Sequence, residues 1–468
     1  MVLSESADLP QALSARLLTI PERHPTAVIV LIGLLFAMAY ASSLVLRPKP
    51  DGRILIGDAL HHYVQLRSAV FDQDLHFRNE YVRMYRLQGG EPGTEWVYEP
   101  TATGHVRNLM PVGPALLWAP LFLFVTAVLG LANALGVGYP LDGYGRLFQA
   151  TAGLTGVAAA SLGAWLTWKT AAQLFPARVA IWSCVTIWLA SSTIYYSLVS
   201  PTYSHAASFL VTAAFWLTWV RMPLTTGPTR RYVVLGGLAG LAALMRWQDA
   251  ILLASIAAEI LLRLRRRQLT VSAAVACGAT AVACAAIAFL PQMIVWAVLY
   301  GQPLALPQGP GFMRWTEPAL VKVLFSDNHG LFSWTPIVFI AVLGLPLIAR
   351  RDAALAIGLG IFLLLSWYVN AAVVDWWAGE AFGARRFVSC TPVFVLGLAA
   401  ILERWSPRLR TLALAATLVV VHTGLLLLQY QLFMHGWRGL APYPAGAYGL
   451  WMARFAVPLD LLREWLRQ

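Results

Sequence analysis

Charge is scarce in this sequence. Only 12% of its 468 residues are Asp, Glu, Lys or Arg, whereas 59% are hydrophobic. A soluble domain carries about a quarter charged residues, so a soluble globular chain is excluded. Cysteine is scarcer still. Cys184, Cys277, Cys284 and Cys390 sit in or beside apolar runs without metal-ligand spacing, and read as small core residues. Nucleotide-binding loops are missing: no Walker or Gly-rich phosphate motif occurs anywhere in the chain. The short alternating segments of a membrane β-barrel are missing, as are the internal repeats of many transporters.

Long apolar runs take their place, and the mean hydropathy is +0.64. Spans are expected at Ala27–Val45, Val112–Leu135, Phe148–Trp168, Val179–Val199, Ala206–Val220, Val233–Leu244, Ala250–Leu262, Val271–Leu299, Leu331–Ile348, Ala353–Ala372, Phe387–Leu402 and Leu412–Leu432. The first span is too long for a signal-peptide core and reads as a retained helix. The chain is therefore expected to be an all-α polytopic transmembrane protein. Its net charge of +12 fits basic loops that orient helices and touch anionic lipid, not a nucleic-acid partner.

Basic clusters set the orientation. Arg263, Arg265, Arg266 and Arg267, then Arg350 with Arg351, then Arg404, Arg408 and Arg410 mark cytoplasmic loops. Lys169, Arg178, Arg230 and Arg231 belong to the same side. The count is consistent with a cytoplasmic N-terminus only if one span fails to cross. Val112–Leu135 is the candidate, because Pro114 and Pro120 would break or kink it. The expectation is one transmembrane domain over 1–468 with about eleven crossings. A first periplasmic loop, 47–146, would carry amphipathic and interfacial helices, and 433–468 would form a periplasmic tail.

On this topology the polar residues gather outside. Gly57–Tyr81 predicts an amphipathic helix on the membrane surface, with Tyr63, Leu66, Val70 and Phe71 as its apolar stripe. Asp58 at its start is either an N-cap or a carboxylate held in a cleft, placed to take a proton from an acceptor hydroxyl. His61 and His62 face different directions, so at most one joins Asp58. Asp72-Gln73-Asp74 is either a solvated turn or, as a minority view, a divalent-metal pair. Asn108, Tyr203, His205, Arg246 and His329 sit at outer turns, where each is either structural or substrate-binding. Trp376 and Trp377 of Asp375–Arg386, together with Trp334, are expected to line a sugar or lipid mouth. Arg385 and Arg386 would grip a lipid phosphate, with Glu380 orienting one of them. With no nucleotide motif, an outward-facing transferase needs a donor already carried across, such as a lipid-linked sugar.

Gly57-Asp58, Asn108-Leu109-Met110-Pro111, the turn at His205, Arg246, and Gly379 to Arg386 together resemble the polytopic GT-C-fold glycosyltransferases, near the protein O-mannosyltransferase and aminoarabinose transferase branch. The resemblance implies a polyprenyl-phosphate sugar donor, an inverting displacement, Asp58 as catalytic base, no required metal cofactor, and a glycan, lipid or protein acceptor. It implies a multi-pass protein of a bacterial inner membrane with a periplasmic site. His205 stands where that branch often has a second acidic residue. The rival readings are a flippase or transporter for a lipid-linked intermediate and a non-catalytic assembly subunit.

Overall fold

The computed structural model describes residues 18–46, 53–85, 95–222, 228–434, 446 and 449–466. Its α-helices in chain order are α1 (Pro25–Leu46), α2 (Asp58–Arg67), α3 (Arg78–Tyr85), α4 (Gly113–Ala134), α5 (Arg146–Leu174), α6 (Ala177–Leu189), α7 (Thr193–Leu198), α8 (Ser204–Arg221), α9 (Pro228–Met245), α10 (Leu252–Arg265), α11 (Val271–Tyr300), α12 (Lys322–Phe325), α13 (Leu331–Trp334), α14 (Pro336–Ile348), α15 (Ala353–Ala372), α16 (Thr391–Trp405), α17 (Leu409–Met434) and α18 (Arg454–Trp465). Among the described residues, β structure is confined to an isolated bridge between Pro100 and Val106.

Among the described residues, seven helices are long and apolar enough to cross a membrane: α1, α4, α5, α11, α15, α17, and Arg385–Trp405, which leads through α16. The chain is a helical membrane protein. Seven falls short of the eleven crossings expected from the apolar runs, for local reasons. Residues 190–192 divide Val179–Val199 into α6 and α7, and Thr335-Pro336 divides Leu331–Ile348 into α13 and α14. A 3-10 turn, Trp247–Ile251, takes up the start of the run Ala250–Leu262, and the helix that follows, Leu252–Arg265, has only 14 residues.

The prolines of α4 act differently from expectation. Pro114 lies in the first turn, where its missing N–H has no intrahelical partner to lose. The helix continues through Pro120 for 22 residues. The segment expected to be interfacial or re-entrant over Val112–Leu135 is a continuous helix whose length and hydropathy are those of a membrane span. Leu116, Leu123, Phe124, Val128 and Leu131 stay exposed along it, as lipid-facing side chains do.

Contacts divide the chain into two compact units: Met1–Ile32, Ala164–Tyr195 and Glu317–Gln468 form the first, Gly33–Gly163 and Tyr196–Thr316 the second. In the first, α16 packs on α14 and α6, and α17 on α6. The described end of the expected tail packs on α17. Gln429 donates to the Gly449 carbonyl at 3.3 Å, and Arg454 Nη1 donates to His422 Nε2 at 2.9 Å.

In the second unit, α9 packs on α11 and α8, and α2 on α4. The surface helix expected at Asp58 is a correction. Tyr63 and Leu66 are buried as the stripe requires, but every residue from Ala59 to Arg67 is buried, the polar face included. The polar groups tolerate this because protein atoms replace water around them. Tyr63 donates to the Gly143 carbonyl at 2.6 Å, and Gln65 to those of His61 and Met110, both at 3.2 Å. Arg67 donates to Glu80 at 2.8 Å, to Asp72 and to the Asp142 carbonyl, and lies over the Tyr144 ring.

Two further features fix the unit. Gly113 sits so close to the end of α9 that a Cβ there would come within 2.3 Å of the Leu244 carbonyl oxygen. Arg231 at the start of α9 forms a fully buried fork with Glu259 of α10: Nη2 to Oε1 is 2.8 Å and Nε to Oε2 is 3.2 Å. Arg231 lies 15 residues before Arg246, about 22 Å along a helix. The buried ion pair therefore anchors one end of α9, and its other end carries the candidate site.

Candidate functional site

Six of the expected site residues belong to the second unit and five to the first. In the second unit, four chain segments converge. Gly57 has φ +53°, which glycine adopts without a Cβ penalty. A Cβ on it would lie 3.1 Å from the Tyr203 hydroxyl, so Tyr203 reaches over the turn that starts α2. The next residue, Asp58, opens that helix without acting as its cap, since the cap position is Gly57.

The paired histidines divide their work. The His61 ring is hydrogen-bonded on both sides, Nδ1 with the Tyr81 hydroxyl at 3.0 Å and Nε2 with that of Tyr85 at 2.7 Å. His61 is a structural post. His62 Nδ1 lies 2.8 Å from the Pro111 carbonyl, so Nδ1 carries the proton and Nε2 presents a lone pair. That Nε2 is fully buried and has no hydrogen-bond partner among the described residues. The His62 ring meets Trp118 edge-on at 6.1 Å. Burial pushes both imidazoles down to about 4, so both are neutral bases at pH 7. The Asp58 charge raises both, and that of Arg246 lowers His62. Asp58, His61, His62 and Arg246 therefore share one local field.

Arg246 sits where α9 ends. Its Nη1 donates to His205 Nδ1 at 2.5 Å and lies 3.5 Å from Ser204 Oγ. His205, at the start of α8, is buried between aromatic rings, 4.4 Å from the Tyr196 centroid and stacked on Tyr203 at 6.2 Å. Asp249 is buried and accepts from Ser208. Asn108 is a strut beside this group. Its Nδ2 donates to the His61 carbonyl at 2.8 Å, and its Oδ1 accepts from Met110 N at 3.0 Å. Asn108 thus sets the path of the strand of loop whose Pro111 carbonyl fixes His62.

Sequence reasoning missed several supporting residues. Gln292 of α11 is buried and accepts the Val112 N–H at 2.8 Å, which holds the chain beside Pro111. A signal for it existed: an amide inside an otherwise apolar 30-residue helix. Tyr81, Tyr85 and Trp118 gave no such signal, because aromatic residues are expected in any core.

The D-x-D pair is occupied by the protein itself. Asp72 accepts from Arg67 and from Asn79 at 2.7 Å. Asp74 accepts from the Ser68 hydroxyl at 2.6 Å and from His76 N at 3.0 Å. Among the described residues, no group of three or more His, Cys, Asp and Glu assembles for a metal ion. Both carboxylates of the D-x-D are engaged in the hydrogen bonds of this turn.

The first unit holds the other five. Arg386 donates from Nη1 to the Asp375 carbonyl and from Nη2 to Asp375 Oδ1, both at 2.8 Å. Asp375, not Glu380, orients this arginine. Glu380 is exposed and forms no ion pair among the described residues. Trp376 and Trp377 meet edge-to-face at 5.6 Å, and Trp377 is 37% exposed. Trp334 is fully buried and donates to the Asp327 carbonyl at 2.8 Å, so it is core and lines no mouth. His329 packs on Trp334 at 5.0 Å and holds φ +66°, a strained value for a non-glycine. Burial, with Arg385 nearby, pushes its imidazole down to about 4.

No protein-family model matches the chain, and no curated protein does.

Proposed function

We propose that this chain is a GT-C-type glycosyltransferase of a bacterial inner membrane, with its site on the periplasmic side. It would move a sugar from a polyprenyl-phosphate donor to a glycan, lipid or protein acceptor. One observation carries the reading: Asp58, His62, Tyr203, His205 and Arg246, up to 188 residues apart in the chain, gather within one unit. A carboxylate, a neutral imidazole with an open buried Nε2, and a guanidinium are the groups such a transfer uses.

In this reading the acceptor hydroxyl attacks the anomeric carbon and gives its proton to Asp58. The carbon–oxygen bond to phosphate breaks with inversion, and polyprenyl phosphate leaves. Arg246 offsets the charge that develops on the leaving phosphate. His205 and Tyr203 position that guanidinium and the sugar. His62 accepts a hydroxyl hydrogen bond at Nε2, oriented by the Pro111 carbonyl. Asn108 keeps His61 and the Pro111 loop in register. Arg385 and Arg386, with Trp376 beside them, are the first unit's candidates for a phosphate-bearing ligand. No step requires a metal.

The test is transfer of radiolabelled sugar from a panel of polyprenyl-phosphate donors into membrane extract, with and without EDTA. Asp58→Asn is expected to lower transfer by at least about 100-fold while the protein remains folded. Full activity in Asp58→Asn would remove Asp58 from the role of base. Tight donor binding without turnover under any acceptor condition would assign the cluster to transport or assembly.

A further inference from the structure

Outside these clusters, a cleft with an arginine-rich rim lies in the first unit, where α14 and α16 end. A cleft of about 260 Å³ is lined by Phe175, Leu347, Arg350, Arg351, Glu403 and Arg404. We propose that it binds the phosphodiester headgroup of an anionic phospholipid.

The charges are arranged for an anion. Arg351 is already committed: it donates to the Leu174 carbonyl at 2.6 Å, pairs with Glu403, and lies over the Phe175 ring at 5.2 Å. Arg350 and Arg404 have no acidic partner among the described residues. Three guanidiniums against one carboxylate leave the cleft with two excess positive charges. A phosphodiester supplies a matching anion, and an arginine fork can hold two of its oxygens.

The surroundings select a lipid over a soluble phosphate. The floor is apolar, from Phe175 and Leu347, and suits a glycerol backbone more than water. Trp405, next to Arg404, is 71% exposed, as tryptophans at headgroup depth are. Leu343 of α14 is 58% exposed along the same helix end and offers an apolar track for an acyl chain. The three arginines also belong to the basic clusters expected on the cytoplasmic side from their charge, where anionic lipid would attract them. The proposal is independent of the glycosyltransferase reading, since none of these residues belongs to either site group.

Native mass spectrometry of the detergent-purified full chain tests it. Wild type is titrated with dioleoyl phosphatidylglycerol, with dioleoyl phosphatidylcholine, and with inorganic phosphate. The double variant Arg350→Gln/Arg404→Gln and the control Arg410→Gln, exposed but outside the cleft, are treated alike. At roughly 1 kcal/mol per arginine, the double variant should hold phosphatidylglycerol about thirtyfold more weakly. The control and wild type should bind it equally, and phosphatidylcholine should not saturate. Circular dichroism and melting of the double variant confirm that it is folded. Equal retention of phosphatidylglycerol by wild type and double variant would overturn the proposal, as would saturable phosphatidylcholine binding. Displacement of the lipid by millimolar inorganic phosphate would assign the cleft to a soluble anion instead.

Discussion

Glu259→Gln is a stringent test of how the second unit is held together. The Glu259 carboxylate accepts from Arg231 at 2.8 and 3.2 Å, from Arg263 at 2.6 Å and from the Tyr232 hydroxyl at 3.3 Å. The Arg231 and Glu259 side chains are 2% and 1% exposed, so water cannot replace these bonds. Neutralising Glu259 strands the Arg231 charge in a low-dielectric interior, because Arg263 is a second cation and the remaining partners of Arg231, the Trp219 and Met222 carbonyls and the Trp219 ring, carry no negative charge. Removing one partner of a buried pair costs about 3–5 kcal/mol. Glu259→Gln should therefore lower the free energy of unfolding in detergent by about that amount, measured by SDS or thermal unfolding. Glu259→Met with Arg231→Met should be less destabilised than the single variant. The double change removes the stranded charge and leaves chiefly the two carbonyls without a donor, at about 1–3 kcal/mol. A loss below about 0.5 kcal/mol for Glu259→Gln, the value of an exposed pair, would refute the reasoning.

Two further outcomes follow from the site. Gly113→Val should lower the melting temperature through a cost of about 1–3 kcal/mol, because its Cβ meets the Leu244 backbone oxygen rather than a movable side chain; a variant as stable as wild type would mean that α4 and α9 separate freely there. The pH dependence has a defined sign. His61 and His62 hold folded values near 4 against about 6.5 unfolded, so the unfolded chain binds more protons between these values. Their contribution is complete above pH 6.5 and is lost as pH falls from 6.5 through 4, on the order of 2 kcal/mol per imidazole at pH 5. Glu80, raised by burial to about 7, acts in the opposite direction as its proton is retained in the folded state. Subtracting the melting curve of His62→Asn from that of wild type cancels Glu80. The wild type should lose more stability than His62→Asn between pH 7 and pH 5, and parallel curves would contradict a neutral buried His62.

Composition together with the length of the apolar runs pointed to a helical membrane protein, because backbone groups in lipid are satisfied only in helices or closed barrels and a barrel's short alternating segments are missing. The sequence also singled out Asp58, His62, His205 and Arg246, since such groups are rare in an apolar chain and stand out from it, and the fold brings all four into one unit. Other features depended on contacts between distant segments. An apolar run and a helix are not the same object: the run Leu331–Ile348 is divided at Thr335-Pro336, whereas the helix Gly113–Ala134 carries Pro114 in its first turn and continues past Pro120. A polar helix face was expected in water, yet the α2 face is buried, because Glu80, Tyr81, Tyr85 and Pro111 come from elsewhere in the loop to meet it. The distinction between His61 and His62 is of the same kind. Adjacent and chemically identical in sequence, they differ only in what tertiary structure packs around each ring: two tyrosine hydroxyls for one, a single carbonyl and an open nitrogen for the other.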